Sequence, residues 1–377
     1  MLRNCAAALG NGILKLIAVS SACIRRLGQG GSAALAGVVV KLRQKTLARC
    51  KQEWRKGLTP ASACTDAQAP VILCAGIIVL DEVFRVDRFP EPDTKAAAQS
   101  FFVVNGGCAA NAAVAVARLG GRAALAGPLG GPAGEDSNGD HVLAALAREG
   151  VDCSGCPRVA GVPTALSAIF IDAQGDRVIV TYRHERLEGV VPGDPAGLVA
   201  SVDVVLADNR FPDFVRPLCQ AARERGLPVV LDADRPTQMS DDLFRIATHV
   251  VFSSECLRAT TGLDDLAAAL ARISDLTPSF LAVTQGAQDV LWRDGVTLRR
   301  SPVFAVQAVD TLGAGDVFHG GFALALAEGK DEIAAMRFAA AAAGLKCTRL
   351  GGSAGAPYRA EVETLLASPY PATASNP

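Results

Sequence analysis

The sequence predicts an α/β fold built on a parallel, doubly wound sheet. Between residues 202 and 286, strand-like and helix-like patterns alternate regularly. The strand-like segments are continuous apolar runs, as in VDVVLAD (202–208), PVVLDAD (228–234) and HVVFSS (249–254). That is the pattern of strands covered on both faces. Each run also ends in polar or small residues, and an open α/β sheet binds its ligands beyond such strand ends.

Taken in order, VILCAGIIVLDEV (71–83) reads as one buried strand ending near Asp81. FFVVNGG (101–107) is a β-rich run stopped by two glycines, and NAAVAVARLG (111–120) turns helical and stops at glycine. ALAGPLGG (124–131) is a strand and turn, and DHVLAALAREG (140–150) is a helix closed by glycine. SAIFIDAQGDRVIVTYR (167–183) holds two β-branched runs around Ala-Gln-Gly-Asp, a β-hairpin. The alternation follows, with helices expected at 214–226, 241–247 and 263–273 and a last strand at 279–286. The polar ends are Asp81, Asp208-Asn209-Arg210, Asp232-Ala-Asp234, Ser253-Ser254-Glu255 and Thr284-Gln285-Gly286. Each alone is explained as well by a solvated turn, but several on one sheet suggest a long polar cleft.

The chain of 377 residues has room for one large domain or two modest ones, and half its residues are apolar, enough for a sizeable core. A net charge of −1, three Tyr and two Trp argue against nucleic-acid binding. The eleven cysteines form no disulfide framework and read as reduced thiols in a cytoplasmic protein. Cys153-Ser-Gly-Cys156 lacks a second pair at zinc spacing and reads as a loop. Residues 1–70 carry eleven Lys/Arg and only two acids, Glu53 and Asp66. They read as a disordered or weakly helical extension, or as a start site placed too early; an organellar transit peptide is the alternative. Their apolar stretches, such as 12–24, are too short and interrupted to span a membrane, and no membrane partner is expected. The folded domain is expected over 71–369, with a tail at 370–377.

The chemistry concentrates in VDTLGAGDVFHGGFALALA (309–327). Gly313-Ala314-Gly315-Asp316 opens a long helix, so backbone N–H groups gather at a helix N-terminus, where an anion is favoured. No Walker lysine is present, so the loop suits one phosphoryl group in transit rather than a wrapped triphosphate. Asp316, in the first turn, serves either as a helix-terminal carboxylate or as a general base for an attacking hydroxyl.

VDTLGAGDVFHGG resembles the C-terminal signature of the ribokinase-like (PfkB) sugar kinases. Asn105-Gly106-Gly107-Cys-Ala-Ala-Asn111 with AVAVARLGG resembles their N-terminal signature. Order and separation also fit, over about 71–360. The resemblance implies a three-layer α/β/α sandwich with a mainly parallel sheet and a small β-sheet lid, from 82–104 and the 167–183 hairpin. It implies ATP with Mg²⁺, a small-molecule sugar acceptor, Asp316 as catalytic base and Gly313, Ala314 and Gly315 as anion hole. It implies Asp81, Gly106, Gly107 and Asn111 as sugar ligands and Thr284 and Gly286 at the nucleotide. Lids in this family often pair, so a homodimer through the lid is an expectation. Many members carry Asn-x-x-Glu after a middle strand; here Ser253 and Cys256 stand at those places, with Glu255 one position early, which leaves the metal ligands open. Within the family, VVLADNRF (204–211), VVLDADRPTQ (229–238) and LKCTRLGGSAG (345–355), among other runs, look most like sulfofructose kinases and their near relatives. That likeness implies transfer to the 1-hydroxyl of 6-deoxy-6-sulfofructose, with Arg210 and Lys95 as cations for the sulfonate. Against it, Thr181 stands where an Asn is expected. Kinases for a neutral ketohexose, another sugar or a nucleoside are the alternatives, and a non-catalytic sugar- or nucleotide-binding regulator is the reading from another class.

Overall fold

The computed structural model describes residues 69–368. The expectations for the extension at 1–68 and for the tail from 369 onward lie outside the described residues. In chain order the strands are β1 (Val71–Ala75), β2 (Val79–Arg85), β3 (Ser100–Gly106), β4 (Arg122–Ala126), β5 (Leu129–Gly131), β6 (Arg158–Ala160), β7 (Ala165–Ile171) and β8 (Arg177–Tyr182). They continue as β9 (Val204–Asp208), β10 (Val229–Ala233), β11 (His249–Ser253), β12 (Phe280–Gln285), β13 (Gln288–Asp294) and β14 (Thr297–Ser301). The helices that shape the site are α1 (Cys108–Arg118), α2 (Pro212–Glu224), α3 (Ser254–Thr261), α4 (Leu266–Ser274), α5 (Ala314–Ala327) and α6 (Glu332–Cys347).

The main sheet has eight strands in the order β14-β13-β12-β11-β10-β9-β1-β4. From β4 to β12 all pairings are parallel, and β13 and β14 close one edge antiparallel. One apolar cluster joins its strands to α1, α5 and α6; a second joins them to α2, α3 and α4. The result is the three-layer α/β/α sandwich. Ala-rich α1 and α5 pack unusually close. A Cβ at Gly320 would stand 2.7 Å from the Ala112 carbonyl oxygen, so only glycine permits this approach.

A smaller four-stranded sheet, β3-β2-β7-β8, contains the predicted hairpin as β7 and β8. Its existence changes the reading of 71–83. The run is two strands, not one: β1 lies in the main sheet and β2 in the small one. The chain changes sheets at Gly76, whose N–H bonds to Ala126 while the next N–H, of Ile77, donates to the Asp208 carboxylate at 2.7 Å. Continuous hydrophobicity hid the break because both halves are buried. Asp81 therefore sits inside β2 rather than at a main-sheet strand end. The helix expected at 241–247 shrinks to one turn, Leu243–Ile246, between β10 and β11.

Candidate active site

Parallel strands β9 to β12 end on the same side of the sheet, and α5 begins beside them. A polar cavity of about 550 Å³ lies there, lined on the main-sheet side by Cys108, Asn111, Arg210, Asp234, Ser253, Gly313, Gly315 and Asp316. The small sheet forms the opposite wall. Its register sets Asp81, Ser167 and Thr181 in one row across β2, β7 and β8, and all three line the cavity. Ser167 and Thr181 share a hydrogen bond of 2.9 Å between their hydroxyls.

The glycine loop carries the sharpest electrostatics. Gly313, with φ of 76°, is the N-cap of α5 without side-chain capping, so the amides of the first turn have no intrahelical acceptor. Asp316 accepts a 2.7 Å hydrogen bond from Asn111 Nδ2 on α1. Burial pushes its pKa up to about 7, with nearby Asp234 and Asp208 adding to the rise and Asn111 opposing it. Asn111 Oδ1 is buried without a partner among the described residues. Burial likewise raises Asp81 to about 6, against a hydrogen bond from Ser167. Asp208 rises to about 6 by burial, against the N–H groups of Arg210 and Ile77. Buried Asp232 is held well above the usual carboxylate range by burial and by its acidic neighbours. Asp81 and Asp316 line the cavity itself, with Asp208 and Asp232 buried outside its lining, and displaced carboxylates in a cleft make it the candidate site.

Gly106 belongs to the same wall without lining the cavity, because a Cβ there would overlap the Asp81 carboxylate. Gly107 is the N-cap of α1 and reaches the cavity itself. Lys95 does not join the site: it is exposed, in the segment between β2 and β3, and is absent from the cavity lining. Arg210 does join, but it is not a free clamp. Its guanidinium is already ion-paired with Asp234, with Nε left buried and without a partner among the described residues. Sequence reasoning named the strand end holding Asp234 but missed this pairing, which needs β9 and β10 side by side.

On the other side of the loop lies a second cavity of about 520 Å³, lined by Thr284, Gly286, Phe304, Val306, Phe318, Gly344 and neighbours. It is mostly apolar and contains both residues expected at the nucleotide. Arg177, Thr311 and Gly315 line both cavities, so the two meet at the start of α5. Arg177 had no signal in the sequence beyond its place in a hairpin. His319, one turn along α5, is buried, with Nδ1 2.7 Å from the Gly315 carbonyl and Nε2 3.3 Å from that of Val251. It tethers α5 to β11.

Comparison with known proteins agrees with this layout. Residues 70–359 match the family described as pfkB family carbohydrate kinase. The chain belongs to this family. The kinase is similar to the ribokinase of Bacillus subtilis strain 168, with 32% identity over 299 residues, 78% of this chain and 99% of that one. Among solved structures it resembles a provisionally assigned ribokinase from Agrobacterium tumefaciens, at 38% identity and TM-score 0.75, covering 79% and 97% of the two chains. It also resembles the Arabidopsis thaliana ribokinase complexed with ribose and ATP, at 26% identity and TM-score 0.70, covering 79% and 99%. Among the described residues of this kinase, no helix is long and apolar enough to cross a membrane.

Proposed function

We propose that this kinase transfers the γ-phosphoryl group of ATP to a sugar hydroxyl across the junction of its two cavities. The observation that carries the reading is that junction: a polar cavity and an apolar one share Gly315 and Thr311 at the mouth of α5, beside Asp316. The sugar occupies the polar cavity, with Asp81 and Asn111 accepting and donating hydrogen bonds to its hydroxyls and Gly106 and Gly107 shaping that wall. Adenosine occupies the apolar cavity, beside Thr284 and Gly286. Asp316 takes the proton of the attacking hydroxyl, a role suited to a carboxylate whose pKa lies near 7. The amides of Gly313, Ala314 and Gly315 form the anion hole for the charge that develops on the transferring group, Ala314 by giving up its 3.2 Å bond to the Thr311 carbonyl. The small sheet acts as the lid over the sugar.

Mg²⁺ accompanies ATP in this reading, bound mainly through the nucleotide phosphates and water. Ser253 and Cys256, at the places of the family's Asn and Glu, do not fit it. The Ser253 hydroxyl accepts the N–H of Cys256 at 3.2 Å, and burial pushes the Cys256 thiol up to about 12. Neither offers a carboxylate, so no step is derived through the metal. Beyond the cavity, the outer face of the small sheet carries Phe101, Val178, Val180 and Tyr182, each about half exposed. Such an apolar face on the lid supports a homodimer formed through it.

For the acceptor, 6-deoxy-6-sulfofructose, giving the 1-phosphate, requires Arg210 to bind the sulfonate through Nη1 while Nη2 holds Asp234, or to leave Asp234. A neutral ketohexose or pentose requires neither, and the Arg210–Asp234 pair favours it. A phosphoryl-transfer screen with ATP and Mg²⁺ over neutral and anionic sugars tests both, read as ADP formed. No sugar-dependent ADP with any acceptor would overturn the kinase reading. If the sulfonated sugar is the substrate, Arg210→Ala removes its turnover and spares fructose; equal effects on both select the neutral acceptor.

A further inference from the structure

We propose that Arg177, on the lid hairpin, is the cation that meets the γ-phosphoryl group during transfer, an inference that rests on the kinase reading above. Three observations carry it. Alternation along β8 puts Arg177 on the same face as Ile179 and Thr181, and all three line the polar cavity. Arg177 is also among the few residues that line both cavities, so it stands where sugar and nucleotide sites meet. Its Nη1 donates to Thr311 Oγ1 at 2.5 Å, which places the guanidinium at the glycine loop itself.

Charge completes the argument. The polar cavity presents Asp81, Asp234 and Asp316. A nucleotide triphosphate brought to that wall meets repulsion unless a cation intervenes. Arg210 is paired with Asp234, and Arg183 with Glu188 at 2.9 Å. Arg177 alone among the arginines of that cavity has no carboxylate partner among the described residues; it donates to a neutral hydroxyl, that of Thr311. A guanidinium in that position keeps its charge and its forked donors for phosphate. Being on the small sheet, it arrives with the lid, so charge neutralisation and sugar enclosure coincide.

In the step itself, the sugar oxygen forms a bond to γ-phosphorus and the bond from that phosphorus to the β,γ-bridging oxygen breaks. The hydroxyl proton passes to Asp316, and ADP leaves with the bridging oxygen. Arg177 donates N–H bonds to the non-bridging oxygens throughout and exchanges no proton.

The test uses Arg177→Met and Arg177→Lys in the full chain. Turnover is measured with the acceptor that the screen identifies, and calorimetry measures binding of AMP and of the non-hydrolysable analogue AMP-PCP. Arg177→Met is expected to lower kcat about 10²–10³-fold, as for loss of one donor to a developing oxyanion. It should weaken AMP-PCP about tenfold and leave AMP unchanged, with Arg177→Lys recovering part of both. Unchanged kcat and unchanged AMP-PCP binding overturn the assignment while wild-type turnover keeps the kinase reading standing. AMP and AMP-PCP weakening together also overturn it, because Arg177 would then shape the nucleoside cavity instead. A wild type without turnover on any sugar removes the kinase reading, and the AMP-PCP titration still decides whether Arg177 meets the terminal phosphate.

Discussion

The glycine loop runs between two aspartates that face opposite fates. Asp310 at its start is buried, and its carboxylate accepts N–H bonds from Leu312 at 2.8 Å and Gly351 at 2.9 Å. The fully buried Lys346 ammonium lies 3.2 Å from it and also donates to the Asp310 carbonyl at 2.7 Å. Burial pushes the Asp310 pKa up, but these donors win and hold it below the usual carboxylate value. Asp316 at the other end has Asn111, and burial wins there. The difference teaches that donors and the sign of the neighbouring charge, set against burial, separate a strut from a proton acceptor: Lys346 stands beside Asp310, and Asp234 and Asp208 near Asp316. Asp310 ties the loop to the turn after α6; Asp316 is left with a proton affinity near neutrality.

That contrast can be broken at either end. The largest effect is expected from Asp316→Asn, which should lower kcat by about two orders of magnitude or more while calorimetry finds sugar binding largely intact. A loss under about threefold would make Asp316 a helix-terminal acid like any other. Next comes Lys346→Met, which leaves the Asp310 carboxylate buried without its counter-charge. Breaking such a pair costs about 3–5 kcal/mol, read as a lower urea midpoint with an unchanged slope. No change in midpoint would mean that the backbone donors alone suffice.

The third expectation concerns pH. A base must be unprotonated to act, so kcat/KM should fall as pH drops through about 7, the value to which burial raises Asp316. Asn111 donates to the charged form and so lowers that pKa; Asn111→Ala should move the limb upward by about half a unit to one unit. A limb that stays in place would assign the titration to another group, with Asp81 and Asp208 the nearest in value.

Much of this was legible in the residues. The parallel sheet could be read because buried strands write uninterrupted apolar runs, and the loop at 313–316 could be read because glycines before a helix have few other uses. Asp316, Asn111, Thr284 and Gly286, which the family resemblance singled out, each line a cavity. What escaped depended on neighbours distant in sequence. The Gly76 break was invisible between two buried strands. The pairing of Arg210 with Asp234 needs two strands side by side. Arg177 gained its place only when β8 folded over the loop, and Lys95, equally basic and equally within the expected lid, did not. The antiparallel pair β13–β14 was passed over because DVLWRDGVTLRR mixes charge with apolar residues at an exposed edge.

The close contact between α1 and α5 bears finally on the order in which the molecule is made. Asn111 and Asp316 lie 205 residues apart in sequence, yet share a hydrogen bond across helices that only glycine at 320 lets approach. Loop-closure entropy makes such a distant contact slow to form. On the ribosome, β1, β4 and β9 can pair while the C-terminal third is still unsynthesised, since their partners lie within residues 71–208. A nascent chain at that stage holds Asp81 and Asn111 but not Asp316, which joins them only when α5 emerges and docks on α1.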